Sequence, residues 1–294
     1  MKNRVRLGRI KIGDGLPVAV IGIINLSPES FYQGSVARSI EDALKIGEKM
    51  VEEGACILDV GARATGPGAI QISINEERKR LIPTVRKLAG ELDVPISVDT
   101  QFSKVAEEAV EAGAEIINDI SGLKRDRGVA EVAAKYDCSL ILMAAKRNPG
   151  DTTTIKEIKS AWKESLKICR LSGVRLSNVA LDPAIGAWPA RLEKLGRKAF
   201  KKHRGFAKTD LIDLEIIARL KELKKIGRPI CVGISRKSFI GRILGLDDPA
   251  ERLAGSLGAT IMAIINGASA VRTHDPKETS QAIRVCEAIL KASS

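Results

Sequence analysis

The chain of 294 residues has few aromatic residues and no long apolar run. Phe, Tyr and Trp together make up 3% of the residues, which argues against a stacking platform for single-stranded nucleic acid. Apolar runs such as residues 18–24 fall far short of the roughly 20 residues that a membrane helix needs, and the N-terminus has no apolar signal core. We therefore expect a soluble, cytoplasmic protein that crosses no membrane.

Cysteine and histidine pairs at the spacing of metal ligands are absent as well. The five cysteines lie far apart, and no CxxC, HxH or HExxH motif occurs, so we expect neither a zinc site nor a disulfide framework. Cys56 and Cys231 lie inside apolar strand-like runs, which is typical of reduced thiols in a core. No Ser- or Pro-rich linker divides the chain, and we expect a single domain over residues 1–294.

Basic residues are in excess. The chain has 48 Lys and Arg against 36 Asp and Glu, a formal net charge of +12. This charge allows nucleic acid or small anions as partners. The scarcity of aromatic residues weakens the first alternative, so we predict small-molecule substrates and no nucleic acid.

Short β-branched runs alternate with longer stretches of helical periodicity, the pattern of βαβ units around a parallel sheet. About eight such runs occur, the number that a closed (β/α)8 TIM barrel requires. Their centres lie near Val20, Ile57, Ile96, Ile116, Ile141, Val179, Val232 and Val271. We predict this α/β barrel fold, with an amphipathic helix over residues 39–53 that begins with a capping box at Ser39 and Asp42.

The N-terminal residues 1–17 are predicted to form a hairpin that caps the bottom of the barrel. Apolar and polar residues alternate on both sides of Gly13-Asp14-Gly15, which predicts the turn at these three residues.

A weak internal repeat marks the ends of three strands. Each of Gly54, Gly113 and Gly267 precedes an Ala and a strand, and the fifth residue after each Gly is polar. These polar residues are Asp59, Asn118 and Arg272. Further polar residues at strand ends are Asn25, Asp99, Asp119, Asp182, Ser235, Arg236, Lys237 and His274. Because barrel active sites lie at the C-terminal strand ends, we interpret the set as one mouth. For each member alone, a capped or salt-bridged strand end is the alternative, and for Arg272 this is a pair with a strand-end Asp.

The chemistry of this mouth points to a phosphorylated small molecule. Ser235, Lys237 and Ser238 precede a helical run, where hydroxyls, an ammonium group and helix N–H groups can surround an anion. Arg272 and His274 alternate along the last strand and so face the same side. The carboxylates would need cations or a ligand ring rich in N–H donors. A magnesium ion held by one side-chain oxygen and the ligand's phosphates is compatible with this arrangement.

Seven segments, in order along the chain, resemble the motifs of one known family. They are GIINLSPESF (22–31), LDVGARATGPG (58–68), SVDT (97–100), IINDISG (116–122), LDPAIG (181–186), GISRKSFIG (233–241) and VRTHD (271–275). The first and sixth are the most specific. The family is that of the dihydropteroate synthases, transferases of the pterin-binding barrel superfamily, and the resemblance extends from about Gly22 to the C-terminus.

The resemblance implies that the chain joins 6-hydroxymethyl-7,8-dihydropterin diphosphate to a p-aminobenzoate-type arylamine and releases diphosphate, with Mg²⁺ as cofactor. It implies pterin binding by Asp99, Asn118, Asp182 and Lys237. It implies diphosphate binding by Asn25, Thr65, Arg272 and His274, with Asn25 as the metal ligand. The arylamine would contact Phe31, Pro67 and Ser235, and Lys237, Arg272 and His274 would be catalytic. Relatives are commonly dimers, so a homodimer is expected.

Three departures from the family pattern limit this transfer. Gly66 stands where most members have the Arg of the second loop, and Arg63 is the candidate substitute for diphosphate binding. Ala144-Ala145 replaces His-Met after the fifth strand. Residues 187–208 form a basic insertion after the sixth strand, either a solvated basic helix and loop or an arm for a phosphorylated arylamine such as the ribofuranosyl-aminobenzene phosphate of methanopterin biosynthesis.

Three other functions compete with this prediction. A methyltransferase acting between a methyltetrahydropterin and a corrinoid protein shares the barrel and the pterin-binding carboxylates but has no diphosphate to hold, so SRKSFIG, Arg272 and His274 argue against it. A non-catalytic pterin-binding protein is allowed by the missing second-loop Arg. A nucleic-acid-binding protein is suggested only by the net charge and the basic run at 191–208.

Overall fold

In the computed structural model of the protein, residues 3–27, 34, 36–65, 68–69, 71–203 and 205–292 are described. Eight parallel strands close into a barrel, and helices alternate with them along the chain. The predicted (β/α)8 TIM barrel with an N-terminal hairpin is confirmed, and every predicted strand centre lies inside an observed strand. Within the described residues, no helix combines the length and the apolar character needed to span a membrane.

The strands, in chain order, are β1 (Arg4–Leu7), β2 (Ile10–Gly13), β3 (Ala19–Asn25), β4 (Ile57–Gly61), β5 (Ile96–Asp99), β6 (Ile116–Asp119), β7 (Ser139–Met143), β8 (Val179–Asp182), β9 (Lys202–His203), β10 (Phe206–Ala207), β11 (Ile230–Gly233) and β12 (Ala268–Thr273). The barrel runs in the order β11-β12-β3-β4-β5-β6-β7-β8 and closes where Leu181 of β8 pairs with Ile230 of β11.

The α-helices are α1 (Ile40–Glu52), α2 (Ile74–Glu91), α3 (Ser103–Glu111), α4 (Gly128–Tyr136), α5 (Ile155–Leu171), α6 (Pro189–Leu195), α7 (Lys208–Ala218), α8 (Leu220–Lys224), α9 (Ser238–Leu244), α10 (Leu253–Ile265) and α11 (Pro276–Ala292). Helix α1 begins as the sequence predicts, because Ser39 Oγ accepts the backbone N–H of Asp42 at 3.0 Å.

The hairpin turn lies elsewhere than predicted. Leu7 pairs with Ile10, so a two-residue turn at Gly8-Arg9 joins β1 to β2, and the prediction of a turn at Gly13-Asp14-Gly15 is wrong. Gly8 has a φ of 57°, the left-handed conformation that two-residue hairpin turns require. Gly13 instead pairs with Arg4 at the end of β2, and the chain then bends toward β3.

The hairpin packs against the end of the barrel at which the strands begin. Val5, Leu7 and Ile12 are buried there in an apolar cluster. The barrel contributes Ala19, Ile21, Ile57, Ile116, Ile141, Ala180, Cys231 and Ala270 to the same cluster. Apolar side chains therefore fill this end, while the polar residues collect where the strands end.

Candidate active site

A cavity of about 640 Å³ lies at the carboxyl ends of the barrel strands. Strand ends from both sides of the barrel, the turn after β8 and the start of α9 contribute to its wall. The predicted site residues that line it are Asn25, Arg63, Thr65, Asp99, Asp182, Ser235, Lys237, Arg272 and His274. The topology therefore brings together side chains that the sequence spreads over about 250 positions.

Asp59, which lines the cavity, connects the buried polar groups around it. Its carboxylate accepts hydrogen bonds from Ser97 Oγ at 2.6 Å and from Asn118 Nδ2 at 3.1 Å. Arg272 Nη2 lies 2.7 Å from Asp59 Oδ2. The parallel register explains the first contact, because Asp59 of β4 lies opposite Ser97 of β5. The three polar residues of the internal repeat thus meet around one carboxylate.

Arg272 pairs with strand-end carboxylates, the alternative that the sequence left open for it. A second carboxylate, that of Asp99, lies 3.6 Å from Arg272 Nη2. Burial alone would lower the pKa of Arg272, but Asp59 and Asp99 outweigh it and raise the pKa, so the guanidinium stays charged. Among the described residues, Arg272 Nε has no hydrogen-bond partner, and neither has Asn118 Oδ1. Buried polar atoms without a partner are rare in folded proteins, and a bound ligand would be able to satisfy these two.

The carboxylates of Asp99 and Asp182 lie in an environment that disfavours their charge. Burial raises the pKa of Asp99 to about 7, against the opposing attraction of Arg272. Burial also raises the pKa of Asp182, while Arg272 and the backbone N–H of Ala184 oppose that shift. A ligand that presents several N–H donors would stabilise both carboxylates in their ionised form.

Lys237 lies along the turn that follows β8. Its Nζ is 5.3 Å from the centre of the Trp188 ring. A Cβ on Gly186 would come within 3.2 Å of the same Nζ, so glycine leaves the space that the lysine side chain uses. Burial lowers the pKa of Lys237, and the carboxylates of Asp182 and Asp213 oppose that shift. The site therefore holds the Lys237 amine against an aromatic face, where the carboxylates of Asp182 and Asp213 favour its charged form.

His274 and Ser235 form a hydrogen-bonded pair at the cavity wall. Ser235 Oγ lies 2.9 Å from His274 Nδ1 and accepts the His274 backbone N–H at 3.3 Å. Burial, together with the nearby cations Lys237, Arg236 and Arg272, lowers the pKa of His274 to about 3. The imidazole is therefore neutral near pH 7, and it offers a hydrogen bond rather than a positive charge to an anion.

Arg63 lines the cavity while its guanidinium pairs with Glu77 of α2. Glu77 is fully buried, and the Arg63 guanidinium lies 5.0 Å from the centre of the Phe102 ring. Thr65 and Asn25 line the same cavity. The second loop thus keeps a cation in the cavity wall, three positions before Gly66.

Three polar residues at strand ends, Asn118, Asp119 and Arg236, do not belong to the cavity wall, contrary to the single mouth that the sequence suggested. Asp119 accepts the backbone N–H groups of Ser121 and Leu123, both at 2.7 Å, because it points away from the barrel interior that its neighbour Asn118 faces. Arg236 bonds Asp275 and the backbone carbonyl of Ala250, so it ties loops together. Successive side chains of a strand point to opposite faces, and this rule would have predicted that Asp119 faces away from the side that Asn118 faces.

Asn118 itself is fully buried next to Asp59 and lies behind the cavity wall. The predicted arylamine-binding residues Phe31 and Pro67 lie outside the described residues. Trp188, which lines the cavity, was absent from the predicted site, and Asp59, predicted as a member of the mouth, was given no binding role there. Ala144 and Ala145 are both buried and do not line the cavity.

The described residues contain no group of three or more His, Cys, Asp or Glu side chains that could hold a metal ion. A site built from protein ligands alone is therefore missing from that part of the chain. The Asn25 side chain offers a neutral oxygen at the cavity wall. One such oxygen, combined with phosphate oxygens of a substrate, matches the way Mg²⁺ is usually bound.

The basic insertion 187–208 divides into exposed and buried parts. It includes α6, a short 3₁₀ helix at Gly196–Lys198 and the β9–β10 pair. The basic side chains of Arg197, Lys198, Lys201 and Lys202 are exposed, whereas Arg191 is fully buried. Trp188, Leu192 and Phe200 line the cavity.

Comparison with known proteins agrees with this geometry. The chain matches the family described as pterin binding enzyme over residues 21–274. It is 35% identical to the dihydropteroate synthase of Clostridium beijerinckii, over 98% of this chain and 100% of that protein.

Solved structures are similar over nearly the whole chain. A Yersinia pestis dihydropteroate synthase in a sulfonamide drug complex has a TM-score of 0.83 and 30% identity, and the match covers 98% of this chain and 99% of that one. A Clostridium difficile dihydropteroate synthase crystallised in the presence of pteroic acid has a TM-score of 0.80 and 35% identity, covering 94% and 97% of the two chains.

Proposed function

The chain belongs to the family of pterin-binding enzymes and functions as a dihydropteroate synthase of folate biosynthesis, and on this premise we propose which of its residues bind each substrate and the leaving diphosphate. The arylamine nitrogen forms a bond to the methylene carbon of the dihydropterin diphosphate, the bond from that carbon to the diphosphate oxygen breaks, and the nitrogen loses a proton. The observation that carries the proposal is the convergence of Asp182, Lys237 and Arg272 on one cavity.

Asp182 and Asp99 accept hydrogen bonds from the amino and ring N–H groups of the pterin. Their raised pKa values support this role, because donors from the ligand would compensate the buried charge. Lys237 donates to the ring acceptors, and Asn118 supplies its unpartnered Oδ1. These contacts orient the methylene group for attack.

The leaving diphosphate is bound by Arg272, His274 and Thr65, with Arg63 in place of the missing second-loop arginine. Arg272 contributes charge, and the neutral His274 contributes a hydrogen bond. Stabilising negative charge as it develops on a leaving group is a large catalytic term in a site shielded from water. No covalent protein nucleophile is needed.

Mg²⁺ is the proposed cofactor, held by the Asn25 side chain and by the substrate's diphosphate. When bound, it would neutralise part of the diphosphate charge. The donor set fits, because a single neutral oxygen leaves most metal positions for phosphate oxygens and water. Asn25 lies at the end of β3, on the same cavity as Thr65 and Arg272.

The arylamine occupies the side of the cavity at Ser235, and Phe31 and Pro67, which lie outside the described residues, are its other proposed contacts. A p-aminobenzoate-type substrate is the first candidate. The second candidate is a ribofuranosyl-aminobenzene phosphate, which would place the enzyme in methanopterin biosynthesis. One observation favours this second substrate. The basic insertion contributes Leu192 and Phe200 to the cavity wall, next to its exposed lysines.

A homodimer is proposed through the outer faces of α10 and α11. Helix α10 has no charged residue, and it exposes Met262 and Ile265. Helix α11 exposes Val285 and Ile289 beside it. Exposed apolar residues on two neighbouring helices are typical of an isologous interface. Light scattering should give twice the chain mass, and Met262→Glu combined with Val285→Glu should give the monomer mass.

The function is tested by product formation from dihydropterin diphosphate and Mg²⁺, with p-aminobenzoate and the phosphorylated arylamine in parallel reactions. Diphosphate release and the mass of the coupled pterin are the readouts. Product is expected, and the preferred amine assigns the pathway. A folded protein that binds pteroic acid but forms no product with either amine would contradict synthase activity and favour the pterin carrier or the corrinoid methyltransferase.

A further inference from the structure

Arg191 of α6 is completely buried and hydrogen-bonded in four directions. Its Nε donates to the carbonyl of Thr152 at 3.1 Å, and its Nη2 donates to the carbonyl of Ala184 at 2.7 Å. Its Nη1 donates to the carbonyl of Gly186 at 2.9 Å and to Asp213 Oδ1 at 2.7 Å. The side chains of Arg191 and Asp213 are both 0% exposed. The planar guanidinium thus joins the loops after β7 and β8 to α7.

The turn after β8 that receives these bonds has an unusual backbone. Ala184 has a φ of 65°, a left-handed conformation that is costly for a residue with a Cβ, and Gly186 has a φ of 132°. The backbone N–H of Gly186 donates to Asp213 Oδ1 at 2.8 Å, next to the Arg191 contact. Arg191 and Asp213 therefore bond three of the four backbone polar groups of Ala184 and Gly186.

The same turn positions the pterin-binding side chains. The remaining group, the Ala184 N–H, donates to Asp182 Oδ1 at 2.7 Å and so orients that carboxylate. Trp188 Nε1 donates to the Ala184 carbonyl at 3.1 Å, and the Trp188 ring faces Lys237 Nζ. Lys237 also packs against Gly186. A shift of the turn would move Asp182, Trp188 and Lys237 together.

We propose that Arg191 and Asp213 are positioning residues for the pterin subsite, acting through the Ala184–Gly186 turn. The inference rests on the proposed function, because it assigns the turn's neighbours Asp182 and Lys237 to pterin binding. Neither residue of the pair lines the cavity. Arg191, which belongs to the basic insertion, therefore supports the turn beside the active site. The exposed lysines of the insertion have no part in this role.

Stability alone is a weak explanation for this pair. A buried ion pair often contributes no more stability than apolar residues of the same volume, because both charges lose their hydration. An apolar replacement, however, could not donate the hydrogen bonds that Arg191 makes to the carbonyls of Thr152, Ala184 and Gly186, so the buried guanidinium's hold on the turn would be lost. A planar guanidinium is needed to donate the four hydrogen bonds of Arg191 at once, and the carboxylate of Asp213 supplies the opposite charge.

The test compares Arg191→Lys with a control that loses stability elsewhere. Lysine keeps a charge beside Asp213 but cannot reach the Ala184, Gly186 and Thr152 carbonyls together. Leu88→Ala, a fully buried position on α2 outside the cavity wall, is the control, because it should lower the melting temperature by creating a cavity. Binding of pteroic acid is measured by calorimetry, and KM is measured for both substrates.

For Arg191→Lys we expect the Kd of pteroic acid and the KM of dihydropterin diphosphate to rise about 10- to 100-fold, because misplacing the turn misplaces its contacts. The KM of the arylamine should stay near the wild-type value, and Leu88→Ala should change none of these constants. Asp213→Asn keeps an acceptor for the Gly186 N–H and should give an intermediate loss.

An Arg191→Lys protein that melts earlier but binds pteroic acid as the wild type does would overturn the proposal and leave a structural role. If Arg191→Lys does not fold, Asp213→Asn decides the question by the same comparison. Wild-type turnover tests the proposed function independently, since pteroic acid binding can be followed in the variants without catalysis.

Discussion

The two ends of the barrel are built from the same strands but filled in opposite ways. Where the strands begin, Leu7 and Ile12 of the hairpin pack on Ile57, Ile116 and Ala180. Where they end, charged groups are buried together around the cavity. The apolar end stabilises the fold, whereas the polar end holds carboxylates whose raised pKa values show that their charge is unfavourable there.

The polar end is itself uneven. Around β4, β6 and β12, the strands alone place Asp59, Asn118 and Arg272 in contact. Around β8 and β11, the positions of Asp182 and Lys237 depend on a turn that Arg191 holds from outside the barrel. Strand register is sufficient for the first group, and loop packing is necessary for the second.

The largest expected effect concerns the apolar end. Leu7→Ala should reduce the free energy of unfolding by about 2–5 kcal/mol, because it opens a cavity in a fully packed layer. Urea denaturation measures the loss. Turnover of the folded protein at low temperature should stay at the wild-type level, and Lys11→Ala, an exposed hairpin position, should change neither property. A matching fall in kcat/KM would show that the two ends are not separate.

A change at the polar end should have the reverse pattern. Asp182→Asn should lower pteroic acid affinity by about 100-fold, since a charged acceptor becomes a neutral amide. Its melting temperature should not fall, because burial disfavours the wild-type carboxylate. Calorimetry and thermal denaturation check the two parts. Unchanged affinity would remove Asp182 from the pterin site.

The loss of folding stability that results from burying a charged carboxylate should be measurable at Asp99. Its pKa is raised to about 7 in the native state, so between its ordinary pKa and 7 the folded protein keeps a proton that the unfolded chain loses. Wild-type stability should therefore fall as pH rises through this window, and Asp99→Asn should remove that loss. We expect the variant to be more stable at pH 8, by on the order of 1 kcal/mol, with a smaller gain at pH 5.

Urea midpoints at the two pH values measure this gain, and Glu131→Gln, an exposed change on α4, is the control. An equal gain at pH 5 and pH 8 would contradict a titration of Asp99.

The smallest effect is expected at the basic side chains of the insertion 187–208, of which Lys198, Lys201 and Lys202 are exposed. Neutralising Lys198, Lys201, Lys202 and Arg204 together should raise KM for a phosphorylated arylamine a few-fold and leave KM for p-aminobenzoate unchanged. The difference should shrink with added salt. Lys163→Gln with Lys167→Gln, on the exposed face of α5, is the matched control. Equal effects on both substrates would contradict the arm.

Much of the fold was predictable because its signals are local. β-Branched runs located all eight barrel strands, and Ser39 located the start of α1. The hairpin turn was misplaced because glycine occurs at both Gly8 and Gly13, and only strand pairing distinguishes a turn glycine from one that ends a strand. The family motifs located most of the cavity wall.

What the linear chain could not reveal is which charges meet. Arg63 lines the cavity as a phosphate ligand would, and its guanidinium also pairs with the buried Glu77 of α2, a partner that nothing in the linear chain indicates. Arg191 belongs to a basic run for which the sequence allowed a solvated helix and loop, yet its side chain is buried against Asp213. Composition and periodicity depend on residues that are close together in the sequence, so they can be analysed without the tertiary structure. Coulombic and hydrogen-bond partners are chosen by distance in space, and closure of the barrel sets those distances.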